Sequence, residues 1–307
     1  MSTKYTVNLP PVAETLVIPL LARAHDAASP DPILGDESAA ATVAKLSYDF
    51  DRLEMPVHMS MSIAIRTKVF DNWAASFMAA HPNAAVVHIG CGLDDRTRRL
   101  IPGRAVTWID VDLPEVIRLR SQVMPAATTN PQYRLLGADI TSADWLADIP
   151  GERTTLILME GVMSYLAEAD VRNLLHRLTA WFERGEILLD CISSTILDNE
   201  SLHPRDTRRM GAKLRSAVDD LAHLEAVAPG LKVVEALQFI NAPGVERLPW
   251  SIRLRMYLSS WIPSAADAAR LIRLRFERVP ASGGLFASIT GLGNHSSQRR
   301  SQCASGR

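Results

Sequence analysis

Thiols are scarce: Cys91, Cys191 and Cys303 are the only cysteines in 307 residues. They show neither CxxC nor Cys/His ligand spacing, which argues against a structural zinc site and a disulfide framework. A surplus of one charge is also missing. Lysine plus arginine number 33 against 34 acidic residues, a net charge of −1, so no electrostatic argument points to nucleic acid or an anionic membrane as the partner. No apolar run reaches the roughly 18 residues of a membrane span, and Met1 to Pro11 lacks the basic-then-apolar order of a signal peptide. The expectation is a soluble, cytoplasmic monomer or homodimer with no nucleic-acid, membrane or metal partner. What is present is ordinary for a globular protein: 47% hydrophobic and 22% charged residues, with disorder and collagen excluded. A chain of this length buries roughly three quarters of its extended surface, so it needs neither disulfides nor a metal to stay folded.

The chain organises itself around alternating strands and helices. Ala28-Ser29-Pro30-Asp31-Pro32 reads as a loop, because each proline removes a donor and biases its predecessor away from helix. From Ile63 to Ala80, Ile65, Val69, Trp73 and Phe77 step by four along one helical face. Five short apolar strands follow: Val86 to Ile89, Val106 to Ile109, Tyr133 to Leu136, Thr154 to Met159 and Ile187 to Leu189. Helices are expected over 95–100, 114–124 and 168–182, with Pro114 a natural first-turn residue. Strands and helices at this spacing predict an α/β fold with a doubly wound, mostly parallel sheet. After Cys191 the pattern loosens. Residues 193–210 suit an excursion over the ligand edge, 214–227 read as a helix, and 231–240 and 269–278 look like closing strands. The division is an N-terminal helical arm or lid (1–62), a main domain (63–294) with a cap at about 193–230, and a tail (295–307). The tail has three arginines and no acid and is expected to be disordered.

In open α/β sheets, ligands sit at the carboxyl ends of the strands. Those ends here carry Gly90-Cys91-Gly92, Asp110 and Asp112, Asp139 and Glu160. Any one acid reads equally as a cap for the next helix; acids on successive strand ends after a glycine turn are harder to explain as caps alone. The turn also separates cofactor classes. A dinucleotide fingerprint needs a third glycine where this chain has Asp95, and an acid there would repel a pyrophosphate. A ligand without phosphate and with a positive sulfonium, S-adenosylmethionine, suits the turn better. Twenty residues after Gly92 stands Asp112, with Asp110 just before it, where an acid hydrogen-bonds ribose hydroxyls.

These segments carry a resemblance. Residues 86–96 (Val86 to Arg96, containing Gly90-Cys91-Gly92) resemble the first-strand motif of the leucine carboxyl methyltransferase family, particularly its bacterial branch, which methylates polyketide carboxyls. Residues 108–117 (Trp108 to Ile117) resemble the second-strand motif and residues 160–166 (Glu160 to Leu166) the fourth-strand motif. Arg66-Thr67 is similar to the upstream arginine, and Arg209-Met210-Gly211-Ala212 to a cap segment. The likeness runs from about Arg66 to Phe276. It implies a seven-stranded class I methyltransferase fold, a helical cap after the fifth strand, and S-adenosylmethionine as cofactor. Residue by residue, it implies that Arg66 pairs with the methionine carboxylate, where a guanidinium offers a bidentate fork. Gly90, Cys91 and Gly92 would lie against the methionine portion, with Cys91 as packing rather than nucleophile. Asp112, with Asp110 as second candidate, would hold the ribose, Asp139 and Ile140 the adenine, and Glu160 would face the amino group. Tyr165 would line the acceptor pocket, and Arg96 would anchor the motif's own acids. Two departures stand out: Asp95 replaces the family's usual threonine or serine, and Lys213-Leu214-Arg215 replaces a frequent aromatic pair. The two cations would favour an anionic acceptor or simply face water.

Methyl transfer from a sulfonium is an in-line displacement, so the protein must chiefly align the reactants and exclude water. A carboxylate acceptor needs no base; a phenol needs one, or a cationic neighbour that lowers its pKa. His58, His203 and His223 match no motif and read as structural or solvated. The expectation is therefore O-methylation of a small secondary metabolite without a dedicated base, a carboxyl slightly ahead of a phenol. The alternatives are a protein C-terminal carboxylate as acceptor, a non-catalytic cofactor-binding protein, and a nicotinamide dehydrogenase disfavoured by Asp95.

Overall fold

The structure is a computed structural model that describes residues 4–124, 130–261 and 267–278. The tail at 295–307 and Cys303 lie outside them. The chain begins with β1 (Tyr5–Thr6), α1 (Pro11–Glu14), α2 (Val17–Ala27), α3 (Glu37–Lys45) and β2 (Leu46–Ser47), and β1 pairs with β2 in a small parallel ribbon. A long helix, α4 (Val57–Ala80), leads into the main sheet. It runs unbroken through residues 62 and 63, with Ile65, Val69, Phe70, Ala74 and Phe77 buried.

The main sheet alternates with helices: β3 (Ala85–Ile89), α5 (Arg96–Leu100), β4 (Thr107–Asp112), α6 (Pro114–Val123), β5 (Tyr133–Gly137), β6 (Thr155–Met159), α7 (Glu168–Trp181) and β7 (Arg184–Ile192). Short helices α8 (Ser194–Leu197) and α9 (Arg205–Arg209) each place a residue in the cavity wall at the ligand edge, α10 (Ala222–Glu225) packs beside β8 (Lys232–Gln238), and α11 (Trp250–Ser259) and β9 (Ala269–Glu277) close the fold. The seven strands lie in the order β5-β4-β3-β6-β7-β9-β8. All neighbouring pairs from β5 to β7 are parallel, while β9 is antiparallel to both β7 and β8. This is the doubly wound α/β sheet that the sequence predicts. The chain winds outward from β3 to β5 and then returns to β6, so the switch point lies between β3 and β6, where the carboxyl ends leave a crevice.

Both faces of the sheet are buried, which is why its strands read as continuous apolar runs. Val87, Ile89, Ile109, Ile157 and Leu189 pack under α7 through Leu174, Leu175 and Leu178. Their neighbours Val86, Trp108, Leu156, Leu158 and Leu188 pack on the opposite face against Ile65, Phe70 and Phe77 of α4. The N-terminal helices form their own small core, with Leu20, Ala24, Ala39 and Leu46 against Leu93 after the glycine turn and Leu119 of α6.

Two expectations are corrected. The helix read over 214–227 is reduced to α10. Residues before it are extended because their donors find tertiary partners: Arg215 N–H donates to Ser164 O (2.7 Å), Val218 N–H to Ile192 O (2.9 Å), and Ser216 Oγ to Met163 O (2.8 Å). Backbone pairing outside the segment overrides its helical pattern. The second strand also runs on to Asp112, so Asp110 sits inside β4 rather than beyond its end.

Candidate active site

The glycine turn after β3 depends on backbone that only glycine adopts easily. Gly90 has φ of 67° and Gly92 of 48°, and a Cβ on Gly90 would stand 2.3 Å from Val162 Cγ2. Two buried arginines hold the turn's carbonyls: Arg120 Nη1 donates to Gly92 O (3.1 Å) and Arg23 Nη2 to Leu93 O (2.9 Å). Asp112 closes it from β4, accepting from Gly92 N–H (2.7 Å) and Leu113 N–H (2.8 Å). Burial raises the Asp112 carboxyl, against the pull of these two N–H groups.

A cavity of about 540 Å³ opens over this turn, within the range of small-molecule sites. Of the residues singled out from the sequence, Arg66, Gly90, Cys91, Gly92, Asp112, Asp139, Ile140, Glu160 and Tyr165 all line it. Asp110 does not. It is buried inside β4, accepting from Arg120 Nη2 (2.7 Å), Tyr133 OH (2.7 Å) and Trp108 Nε1 (2.7 Å), with His88 Nδ1 at 3.2 Å. Burial alone would push its carboxyl up, but Arg120 and His88 hold it at about 2. Asp110 therefore fixes the Arg120 that supports the turn, and the second ribose candidate falls away. Asp139, exposed at the rim, accepts from Thr141 N–H (2.8 Å) and Oγ1 (2.7 Å). Ile140 offers its carbonyl to Arg177. Cys91 is buried, and burial pushes its thiol well up, leaving an inert wall residue.

In the same cavity Arg66 lies between two acids. Its Nε donates to Glu160 Oε1 (2.9 Å) and its Nη1 to Asp190 Oδ2 (3.1 Å). Thr67 Oγ1 donates to the same Glu160 oxygen (2.8 Å), and the fully buried Arg96 grips the other. Burial disfavours the Glu160 anion, but Arg96 and Arg66 outweigh it and hold the carboxyl at about 2. Arg96 also pairs with Asp71 and Asp94, the anchoring role expected of it. Asp190, in the last residues of β7, accepts from Gly161 N–H (2.6 Å). Burial raises its carboxyl, with Arg66 opposing. Neither Asp190 nor Arg23 was singled out from the sequence as a site residue. Asp190 had a signal, since it ends the fifth strand; Arg23 had none, lying on an N-terminal helix far from any motif.

Apolar residues of the cavity wall come from three segments distant in sequence: the arm (Leu16, Ile18), α4 (Met59, Ile63) and the cap (Ile196, Leu214). Lys213 and Arg215 are exposed and do not line it, so no cationic cap faces the acceptor. His58, His203 and His223 are likewise outside the lining, and His203 Nε2 donates to the carbonyls of Ile196 and Leu197. Asp95 is buried against Arg98 and also stays outside the cavity. Among the described residues, no three metal-binding side chains cluster, and no helix is long and apolar enough to cross a membrane.

Comparison with known proteins agrees with this geometry. Residues 16–179 match the model of the leucine carboxyl methyltransferase family. The chain is 35% identical over 238 residues to the tetracenomycin polyketide synthesis O-methyltransferase TcmP of Streptomyces glaucescens, covering 78% of this chain and 87% of the relative. The chain belongs to the leucine carboxyl methyltransferase family. Another relative, the S-adenosyl-L-methionine-dependent methyltransferase dpfgK of Gibberella zeae, is 36% identical over 253 residues, 76% of this chain and 84% of that one. Among solved structures, a putative methyltransferase from Thermobifida fusca superposes with a TM-score of 0.51 at 13% identity, covering 84% of this chain and 94% of that one. A protein from Streptomyces avermitilis gives 0.52 at 13% identity, covering 83% and 97%; both bear on the fold alone. The family member described here is an S-adenosylmethionine-dependent methyltransferase, and its cavity fits that cofactor. Five lining carboxylates (Asp94, Asp112, Asp139, Glu160, Asp190) face two lining arginines (Arg23, Arg66), a surplus that suits a cation and repels a pyrophosphate.

Proposed function

We propose that the protein transfers a methyl group from S-adenosylmethionine to an oxygen, a carboxylate or phenolic hydroxyl, of a small polyketide-like secondary metabolite. The supporting observation is that apolar residues from separate segments, Leu16, Ile18, Met59, Ile63, Ile196 and Leu214, contribute to the cavity wall, which suits a compact, water-poor ligand. S-adenosylmethionine supplies an activated methyl group on a good thioether leaving group. In this reading Gly90 and Gly92 let the methionine portion lie against the backbone beside Cys91. Arg66 binds its carboxylate, and Glu160, fixed by Arg66 and Arg96, aims that arginine and faces the amino group. Asp112 holds the ribose hydroxyls, and Asp139 with Ile140 receives the adenine. Tyr165 borders the acceptor. The chain's contribution is alignment and exclusion of water, the terms that matter most for an in-line displacement.

The test is a screen with methyl-labelled S-adenosylmethionine against aromatic polyketide-like acids and phenols, and a peptide ending in a leucine carboxylate. Labelled methoxy or methyl-ester products from the small acceptors are expected. Labelling of the peptide alone would overturn the small-molecule reading in favour of a protein acceptor. Retained cofactor binding with no transfer to any acceptor would count against catalysis.

A further inference from the structure

Helix α11 carries an apolar surface that the cavity does not explain. It lies in the connection between the antiparallel neighbours β8 and β9, a link for which a short turn suffices. None of its residues lines the cavity, and none is fully buried. Ile252 and Met256 face inward and pack against the side of the sheet that α4 covers. At 3.6 residues per turn, Trp250, Leu254, Tyr257, Leu258 and, just past the helix end, Trp261 fall within an arc of roughly 100° on the opposite side. All five are exposed, Trp250 by 71% and Trp261 by 73%. Tyr257 and Trp261 meet edge to face with ring centroids 6.0 Å apart, and Trp250, Leu254 and Leu258 line one shallow groove. The same helical spacing sets Arg253 and Arg255 on the two borders of the arc. Exposed apolar patches of this kind mark contact surfaces, and aromatic residues rimmed by arginine are the composition of an interface centre.

We propose that α11 is the surface through which two copies of this chain associate, antiparallel about a two-fold axis. Trp250, Leu254, Tyr257 and Trp261 are spaced four, three and four residues apart, the alternation of a coiled-coil seam. That spacing reads the same in both directions. A second α11 laid antiparallel therefore sets Trp250 against the partner's Trp261 and Leu254 against the partner's Tyr257, and symmetry repeats each pair. The area is adequate as well. At roughly 150–250 Å² per aromatic side chain, the five exposed side chains offer on the order of 600 Å² per copy, most of the ~800 Å² that a stable interface takes from each partner. Arg253 and Arg255 stay at the solvated rim, where salt screens their like charges. An anionic bilayer is the competing partner, because α11 holds these two arginines and no acid. The whole chain, however, has a net charge of −1, which gives such a surface no general attraction, and a fluid bilayer imposes no seam spacing.

The test is the mass of the full chain in solution, measured by sedimentation equilibrium across the micromolar range. The wild type is expected to be a dimer. Leu254→Glu and Tyr257→Arg, each alone, are expected to weaken association at least roughly thirtyfold, the loss typical of an interface hot spot, while keeping the circular-dichroism spectrum of the wild type. Mixed in equal amounts, the two variants should associate again. The antiparallel register sets the new carboxylate of one copy against the new guanidinium of the other and leaves the second Leu254–Tyr257 pair intact. A wild type that is monomeric throughout overturns the proposal; if that monomer also sediments with phosphatidylserine vesicles, the stripe is a membrane surface instead. Variants that dimerise as the wild type does place the interface elsewhere, and a mixture that fails to associate overturns the proposed pairing.

Discussion

Arg66 ties together two acids of the cavity wall, Glu160 and Asp190. In Arg66→Ala, Glu160 keeps Arg96 and Thr67, and Asp190 keeps the Gly161 N–H. If Arg66 meets the methionine carboxylate, the variant should bind S-adenosylmethionine about 1.5–3 kcal/mol more weakly, measured by calorimetry; unchanged affinity would remove Arg66 from the site. Gly90→Ala tests the turn. Its left-handed backbone costs about 1–2 kcal/mol for an L-residue, and the added Cβ meets Val162. Urea melts should show at least that loss, only partly recovered by Val162→Ala; an unchanged midpoint would contradict the geometry. The buried acids predict opposite responses to pH. Asp110 and Glu160 are held at about 2, below their unfolded values near 4. Their contribution, on the order of 2–3 kcal/mol each, is present above pH ~4 and lost as the pH falls toward 2. Asp190 is raised, so its stabilising contribution is present at low pH and lost as the pH rises through its folded value. Asp190→Asn should therefore melt no lower than wild type at neutral pH; a marked drop would show that Asp190 is structural.

At the level of elements, the sequence announces whatever its own apolar pattern determines. β3, β4, β6 and β7 are visible because strands buried on both faces cannot avoid being continuously apolar. Gly90, Asp112 and Glu160 are visible because turn chemistry and spacing mark strand ends, whereas Arg66, inside α4, is visible only through the family resemblance. Partners supplied from elsewhere in the chain are not visible. Residues 214–227 carry a helical pattern, but its first part is drawn out where Arg215, Ser216 and Val218 bond to Ser164, Met163 and Ile192. Asp110 looks like a strand-end acid and is a buried anchor for Arg120. Arg23 reaches the glycine turn from α2 with no local sign of doing so. The arm's place in the cavity wall gives a prediction at this scale. S-adenosylhomocysteine should slow amide exchange in α2 and across 90–95 while leaving α7, which is outside the cavity lining, unchanged. Equal protection in α7, or none in α2, would detach the arm from the site.

Across the whole molecule, the switch point of the sheet, the glycine turn and the acid-rich wall converge on one cavity. Charge distinguishes the cofactor it takes. A wall with five carboxylates and two arginines accepts a sulfonium and rejects the pyrophosphate of a dinucleotide, although both ligands favour the same edge of such sheets. Calorimetric titration of the full chain with S-adenosylmethionine, S-adenosylhomocysteine and NADH tests this most directly. Micromolar binding of both sulfur compounds and none of NADH is the predicted result. Binding of NADH, or of neither sulfur compound, would contradict the account.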